Sequence, residues 1–476
     1  KVARMRFAVS SGHGVLRDAA KVAVVDICKE IGGPVDPSAD DGPPPFLEPE
    51  GRRELAARLV ELLDDDWHLS EHYGTPTALL FISGGAQNFQ MLPRLERVFR
   101  EGLVKAAQIT NAWIFSGGSA SGVMRHVGDA VAPHADIPCV GMAHFGNVVG
   151  RDDISAALVS AAAARDDDDW EHDEEQTLDY GYSDANNSAS GAALEPSHTH
   201  FILPATGAQG RFAWGREITF NLEVVTAISQ MKGVPAVMMV VQGGPNSLAA
   251  VVRAVSMQIP VLVIADSGGA ATAIRDFLKR SPAEKARIDR AEAKVAEARA
   301  LLMAARAREQ TARERLIAAK FRGSLLKGKF GGGASAASAQ EREDEASALR
   351  RQVGDAARAL HKALAEQSRL EAGLLSRTSE RIAADFGRGK ALDSLRQLRD
   401  QEELLELYSM GDEGTLTDDI SKSILSAVTR DPNLDTLAKL ELAIMWNHLD
   451  MLGKVLAGTD AGTKNQRAQQ TRKRNQ

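Results

Sequence analysis

The sequence predicts an α/β fold, a doubly wound and mostly parallel sheet, followed by an α-helical region with a long helical-hairpin insertion. Apolar runs such as residues 236–241 are continuous rather than alternating, which is typical of strands covered on both faces. Four such runs end in glycine turns and lead into helical patterns, at Gly84-Gly85, Gly117-Gly118, Gly243-Gly244 and Gly268-Gly269. A repeated unit of strand, glycine turn and helix builds a parallel sheet between two helical layers.

We expect residues 1–280 to form one domain built from these units. Residues 34–45 are rich in Pro and Asp and predict a loop, and residues 19–31 fit a strand or a short helix. Further apolar runs predict strands at 5–10, 79–83, 112–116, 137–143, 200–203, 236–241 and 260–265. Helical spacing of apolar residues predicts helices at 52–69, 95–108, 220–232, 247–256 and 270–279.

Residues 165–195 interrupt this alternation and predict a mobile surface loop. Residues 166–175 are almost purely acidic, and residues 186–193 are small and polar. A metal site is the alternative reading of the acidic run, but contiguous like charges usually stay solvated.

The composition changes at residue 281. Residues 281–390 are rich in Ala, Glu, Arg and Lys and predict a charged helical hairpin or coiled coil, with a flexible interruption at 327–340. This insertion either lacks chemistry or contacts a partner or a second subunit. Residues 391–458 predict a helical, repeat-like region, and residues 459–476 a disordered basic tail.

Length and charge bound the function. A chain of 476 residues is too long for one ordinary core, and a net charge of −7 does not favour nucleic acid as a partner. The two cysteines, Cys28 and Cys139, form no metal-binding spacing and suit a reducing compartment. No apolar run approaches the ~20 residues that span a bilayer. The chain begins with Lys1 rather than Met, so we expect it to be part of a longer protein.

The glycine turns predict a ligand site at one edge of the sheet. All four follow the carboxyl ends of predicted strands, and in a parallel sheet these ends lie along the same edge. Glycine lets a backbone approach a ligand closely, and a helix that starts there points N–H groups at an anion. A phosphate cradle is therefore expected at this edge.

Several long motifs resemble one family. SGGAQNF at 83–89 and RVFREGLVKAAQITNAWIFSGGSASGVMRHVGDAV at 97–131 resemble the cytosolic N-terminal region of melastatin-type (TRPM) cation channels. SHTHFIL, VVQGGPNSLAAVVRAV and IPVLVIADSGG continue the resemblance in the same order. ILSAVTRDPNLDTLAKLELAIMWNHLD, at 424–450, resembles the helical repeats that follow this domain in those channels.

The resemblance implies a SLOG-type domain, a Rossmann-like relative of the Lonely Guy phosphoribohydrolases. It implies a place on the cytoplasmic face of a membrane, as part of a Ca²⁺-permeable channel whose other subunits complete a homotetramer. It also implies that a nucleotide such as ADP-ribose acts as the effector, with no other cofactor and no metal.

The glycine turns and the resemblance together predict the ligand contacts. Two arginines that some family members place on the ligand are replaced by Asn221 and Gly269. The ligand charge would then meet backbone N–H groups, or Arg125, Arg211 or Arg216. The predicted ligand-binding residues are Gly84, Gly85, Asn88, Ser116, Gly117, Gly118, Ser119, Gly122, Met124, Gly207, Phe212, Gly243, Gly244, Pro245, Asn246, Ser267 and Gly268.

The residues favour a binding domain over an enzyme. The related hydrolases carry a glutamate on the helix after their glycine turn, but residues 249–260 contain no acid. Glu217 is the nearest candidate, and we interpret it as a surface or capping residue. His198 and His200 share a strand face, where packing is favoured over a metal pair. A phosphoribohydrolase and a non-binding assembly scaffold remain the alternatives.

Overall fold

The computed structural model divides the chain into two compact units, residues 1–278 with 377–476, and residues 279–376. It describes residues 2–7, 20–26, 49–86, 89–164, 177–183, 186–188, 191–205, 215, 217–279, 282–327, 336–372, 388–410, 420–447, 449, 452, 453, 455 and 456.

The first half of the larger unit alternates strands and helices. The pattern follows the apolar runs, because each run that is buried on both faces becomes a strand. The elements are β1 (Val2–Phe7), β2 (Ala20–Asp26), α1 (Pro49–Glu61), a π-helix (Leu62–Asp66), α2 (Leu69–Tyr73), β3 (Leu79–Gly84), α3 (Pro93–Ile109), β4 (Trp113–Ser116), α4 (Gly122–Val131), β5 (Cys139–Gly141), a 3₁₀ turn (Phe145–Asn147), α5 (Arg151–Ala164) and β6 (Thr177–Tyr180).

The second half continues this alternation and then enters the hairpin unit. The elements are β7 (His200–Ala205), α6 (Ile218–Lys232), β8 (Ala236–Val241), α7 (Pro245–Ser256), β9 (Val261–Ile264), a 3₁₀ turn (Ala265–Ser267), α8 (Gly269–Leu278), α9 (Pro282–Lys327), α10 (Ala336–Ala372), α11 (Arg388–Arg399), a 3₁₀ turn (Glu402–Leu404), β10 (Leu405–Tyr408), α12 (Ile420–Val428) and α13 (Thr436–Met445).

Ten described strands form one sheet in the order β10-β9-β8-β3-β4-β5-β7-β2-β1-β6. The first eight run parallel, β1 is antiparallel to β2, and β6 is parallel to β1. Within this sheet, β5-β4-β3-β8-β9-β10 reproduces the Rossmann strand order. The predicted α/β, Rossmann-like class is confirmed.

The central strands are apolar along their whole length because helices cover both faces. Every side chain of β8 is buried, as is every side chain of β4. On one face, Phe99 and Leu103 of α3 and Val127 of α4 pack with β3 and β4 into a core cluster that also contains Ile424 of α12. Burying one such side chain is worth ~1.5–3 kcal/mol, so these contacts hold the helices to the sheet.

Two expectations differ from the structure, and two others lie outside the described residues. Leu405–Tyr408, inside the region expected to be helical, is a strand that pairs with β9 at the sheet edge. Its four residues are too few to show a period, so its partner determines its conformation. Within the expected mobile loop at 165–195, Thr177–Tyr180 forms β6, and Ala192, Ala193 and Leu194 are buried. The acidic residues 166–175 lie outside the described residues, as does the tail 459–476.

The smaller unit is the predicted helical hairpin. Helices α9 and α10 contact each other along their length, and α10 begins at Ala336, inside the stretch expected to be flexible. The buried residues of α9 recur every three or four positions, as one face of a helix requires. They are Ala291, Val295, Ala298, Leu302 and Ala305.

Candidate functional site

A cavity of about 600 Å³ opens at the carboxyl edge of the sheet. The turns after β3, β4 and β8 line it, and β3 and β8 are hydrogen-bonded neighbours. The chain travels from β3 through β4 and β5 to β7 on one side of β3, and through β8 to β9 on the other. The cavity therefore lies where the direction of travel reverses, which is where open α/β sheets bind ligands.

The structure brings about half of the predicted ligand contacts to this cavity. Asn88, Gly207 and Phe212 lie outside the described residues. Six others are described but are not among the residues that line the cavity: Ser116, Gly118, Gly122, Gly243, Ser267 and Gly268. The predicted residues that line the cavity are Gly84, Gly85, Gly117, Ser119, Met124, Gly244, Pro245 and Asn246.

Gly122 shows why one predicted contact supports the wall instead. Its φ is +56°, and a Cβ there would overlap the carbonyl oxygens of Gly85 and Ala86. This close approach lets the Val123 N–H donate to the Gly85 carbonyl at 2.9 Å. The start of α4 is thus fastened to the β3 turn, and the Val123 donor is used by protein rather than left for an anion.

The β9 turn supports the β8 turn in the same way. The Gln242 N–H donates to Ser267 Oγ at 2.6 Å, and the Ala270 N–H donates to the Gly243 carbonyl at 2.9 Å. Gly269, with φ +53°, lies so close to the Gly243 carbonyl that a Cβ would overlap it. The fourth glycine turn therefore positions the third, and a side chain at 269 does not fit this arrangement.

A buried chain of hydrogen bonds lies behind Gly117. Ser116 Oγ is 2.7 Å from His198 Nε2, and His198 Nδ1 is 2.7 Å from a Glu195 carboxylate oxygen. The Gly118 N–H donates to Ser116 Oγ at 3.1 Å, and the Glu195 N–H donates to the Gly118 carbonyl at 2.9 Å. These bonds hold the β4 turn in place. Ser116 therefore positions the backbone of the residues that follow it and does not itself line the cavity.

The partners of His198 raise its pKa. Burial alone lowers the pKa of His198, but Cys139 and the Glu195 carboxylate outweigh it and raise the pKa to about 10. His200 has other partners: its Nδ1 is 2.8 Å from Thr199 Oγ1, and its ring lies 5.0 Å from that of Trp67. His198 precedes β7 and His200 begins it, so the two do not share a strand face as expected, and they have different hydrogen-bond partners.

Three polar residues of the wall carry buried atoms without a hydrogen-bond partner. Both side-chain amide atoms of Asn147 are unpaired, as are Asn221 Oδ1 and Glu217 Oε2. Asn221 is oriented by its Nδ2, which donates to the Met142 carbonyl at 2.9 Å. Buried polar groups are normally satisfied, so these atoms mark a part of the wall whose polar groups the described residues leave without a partner.

Glu217 corrects the expectation of a surface or capping role. It precedes α6 and makes no side-chain capping bond, and it lines the cavity with one oxygen buried. Burial raises its pKa to about 7, although backbone N–H groups of Glu217 and Gly215 partly offset the effect. The carboxyl group is therefore close to half-ionised at neutral pH.

Sequence reasoning missed Asn147 and the polar role of Asn221. Asn147 follows β5, a predicted strand whose turn lacks a glycine pair, so its position at a carboxyl end was the available signal. Asn221 lies within α6, where nothing in the local pattern indicates which face meets the cavity.

The comparison with known proteins decides the family. Residues 53–304, more than half of the chain, match the family described as SLOG in TRPM. The chain belongs to this family. The match covers every described strand of the sheet except β1, β2 and β10, and it includes all the residues that line the cavity.

This SLOG domain is similar to part of several channel proteins. It is 34% identical over 232 residues to transient receptor potential cation channel subfamily M member 1 of Mus musculus, covering 46% of this chain and 13% of that protein. It is 32% identical over 233 residues to subfamily M member-like 2 of Nematostella vectensis, covering 45% and 14%. Against member 7 of Homo sapiens it is 32% identical over 227 residues, covering 45% and 11%. The matched region is thus a small part of each relative.

The described residues also include one group of three side chains that could hold a metal ion. Ligand atoms of Glu96, His126 and Asp129 lie within 4.8 Å of one another between α3 and α4, outside the described cavity wall. Arg100 lies 3.6 Å from Glu96 and donates to the Asp129 carbonyl, so a positive charge is already present there.

Among the described helices, none combines the length and apolarity needed to cross a bilayer.

Proposed function

We propose that the chain is the cytosolic ligand-sensing domain of a TRPM-like, Ca²⁺-permeable cation channel. In this proposal the cavity binds a nucleotide derivative such as ADP-ribose and couples its occupancy to gating of a homotetramer. Family membership supports the channel context, and the turns around the cavity support the ligand class, because glycine turns before helices suit phosphate groups.

The cavity at the carboxyl edge of the sheet is the observation that carries the proposal. Its volume of about 600 Å³ lies within the ~300–1,000 Å³ typical of small-molecule sites. The turns after β3, β4 and β8 line it at the carboxyl edge of the sheet, where open α/β folds bind their ligands, and this position favours a ligand site.

Calorimetry on the full chain tests this function. The ligands are ADP-ribose, ADP, AMP and NAD, and we expect saturable binding of at least one. Gly244→Glu is the matched variant, because Gly244 lines the cavity and a Cβ there meets no atom within 4 Å. The variant should fold normally and bind at least ~10-fold more weakly, since its carboxylate occupies the site and repels phosphate.

Gly181→Glu is the control for that variant. Gly181 lies outside the cavity wall, and a Cβ there also meets no atom within 4 Å, so binding should be unchanged. Folded wild-type protein that is silent toward all four nucleotides would exclude the proposal. Gly244→Glu protein that binds like the wild type would place the site elsewhere.

One observation favours phosphoribohydrolase activity as a second candidate. Glu217 offers the cavity a carboxyl group with a pKa raised to about 7, as a general acid for N-glycosidic cleavage requires. Chromatography of AMP incubated with the protein separates the two functions. Release of free adenine that is lost in Glu217→Gln supports the hydrolase, and intact AMP supports the sensor.

A further inference from the structure

A histidine and two carboxylates lie together between α3 and α4, and they are not among the residues that line the cavity. Glu96 belongs to the first turn of α3, and His126 and Asp129 lie three positions apart on one face of α4. One ligand atom from each residue lies within 4.8 Å of the other two. An imidazole nitrogen with two carboxylate oxygens is a donor set that divalent transition metals bind.

The imidazole of His126 has a buried nitrogen at the centre of this group. Its Nδ1 has no hydrogen-bond partner, although it lies only 3.4 Å from Glu96 Oε1. Bonds of ~2.0–2.2 Å to a tetrahedral ion place two ligand atoms about 3.4 Å apart, so the observed separation suits an ion between them. The ring also packs against Phe89, with centroids 5.8 Å apart, which restricts its orientation.

Arg100 supplies the positive charge that the carboxylates face. Its Nη1 lies 3.6 Å from Glu96 Oε1, and its Nη2 donates to the Asp129 main-chain carbonyl at 3.0 Å. Neither of these contacts uses the Asp129 carboxylate. The Arg100 side chain is 42% exposed, and ion pairs this exposed contribute little. A divalent ion can therefore replace the guanidinium group beside Glu96.

A surface groove of about 440 Å³ gives an ion a route to this group. Side chains of α3 and of the end of α4 line the groove, and Arg100 and Asp129 are among them. A metal site needs such an entry path as well as its ligands. The helix α3 follows β3 and α4 follows β4, so an ion here would link the helices that follow two neighbouring strands.

We infer that Glu96, His126 and Asp129 bind a divalent transition-metal ion, with Zn²⁺ as the best match, and that this ion links α3 to α4. Mixed imidazole and carboxylate ligands suit Zn²⁺ better than Mg²⁺ or Ca²⁺, which take oxygen ligands. Three protein ligands leave one tetrahedral position for water. Metal binding at this place is independent of nucleotide binding in the cavity.

Titration of the full chain with ZnCl₂ at pH 7.5, followed by calorimetry, tests the site. We expect one saturable site, and Co²⁺ in its place should give the visible absorption of a four-coordinate ion. His126→Gln and Asp129→Asn should each weaken binding by more than the ~10- to 100-fold that loss of an outer-shell partner costs. Zn²⁺ should raise the melting temperature of the wild type and not that of His126→Gln.

Two further variants separate this site from other zinc binding on the surface. Arg100→Gln should bind Zn²⁺ about 3- to 10-fold more tightly, because it removes the cation that competes for Glu96. His72→Gln is the control, since His72 is an exposed histidine on α2 and lies next to His68. Its affinity should equal that of the wild type.

Circular dichroism shows which variants are folded, and Glu96→Gln, whose side chain is 30% exposed, replaces any α4 variant that is not. Folded wild-type protein that binds neither Zn²⁺ nor Co²⁺ overturns the inference. Binding that survives in His126→Gln and is lost in His72→Gln overturns it too, because the ion then lies on α2. Affinity that does not rise in Arg100→Gln, or Mg²⁺ that binds as tightly as Zn²⁺, contradicts the assignment.

Discussion

At the scale of single residues, Glu217 combines a buried carboxylate oxygen with a raised pKa. Glutamate is a residue type that is usually exposed, yet the fold encloses one of the Glu217 oxygens beside a cavity. The carboxyl group therefore holds its proton to about pH 7, compared with 4.5 for a solvated glutamate. This shift links the site to the stability of the whole domain.

The pH dependence of folding should report this carboxyl group. Between pH 4.5 and 7 the unfolded chain releases the proton that the folded chain keeps, so stability falls as the pH rises through this window. Urea unfolding should show Glu217→Gln gaining ~2–3 kcal/mol on the wild type between pH 5 and pH 8. Glu61→Gln should follow the wild type at both values. Parallel pH profiles for Glu217→Gln and the wild type would show that the carboxyl group is solvated.

At the scale of elements, the contact between α3 and α12 joins distant parts of the chain. Gly102 lies in α3, and a Cβ there would overlap the Ile420 side chain and approach the Ser421 nitrogen to 3.3 Å. The expected helical region after residue 391 is thus built into the same core as the sheet helices. Glycine, which normally weakens a helix by ~1 kcal/mol, is needed for this approach.

Replacing that glycine should destabilise the domain despite improving the helix. Gly102→Ala gains ~1 kcal/mol of helix propensity, but overpacking against Ile420 costs ~1–3 kcal/mol. We expect a net loss of ~1–2 kcal/mol in urea unfolding. Glu101→Ala, at the adjacent exposed position, should change stability by less than ~0.5 kcal/mol. A more stable Gly102→Ala protein would show that α12 does not approach α3 this closely.

At the scale of the whole molecule, the sheet unit and the helical hairpin are separate compact bodies. The hairpin buries a narrow face of mostly small residues, and its Lys294–Glu366 pair is exposed and contributes little. The sheet unit holds the cavity and continues after the hairpin with α11, which contacts α7 and α8. The chain thus leaves and re-enters the sheet unit on the same helical layer.

Removal of the hairpin should leave the sheet unit intact. A chain in which residues 283–376 are replaced by a short Gly-Ser linker should keep a cooperative thermal transition and the nucleotide affinity of the full chain. Circular dichroism and calorimetry measure the two properties. A deletion that unfolds the sheet unit would show that α9 and α10 stabilise it. Light scattering on the two chains compares their oligomeric states and would show whether the hairpin joins subunits.

The strands and their order along the chain were predictable from local pattern. Continuous apolar runs such as residues 79–83 and 236–241 are typical of parallel strands that helices cover on both faces. The glycine turns after them located the edge at which the cavity lies, since parallel strands end together. The strand Leu405–Tyr408 escaped prediction because four residues carry no period, and pairing with β9 determines it.

The sequence by itself determined the fold class, the family resemblance and the sheet edge that carries the site. Only the tertiary structure distinguished the residues that line the cavity from those that position its turns. Gly244 lines the cavity, whereas Gly122 and Ser267 hold neighbouring turns in place. The tertiary structure alone also buried the Asn147 amide and one Glu217 oxygen without a hydrogen-bond partner. The physical reason is that backbone conformation follows from neighbours along the chain, whereas burial and pairing depend on segments that only folding brings together.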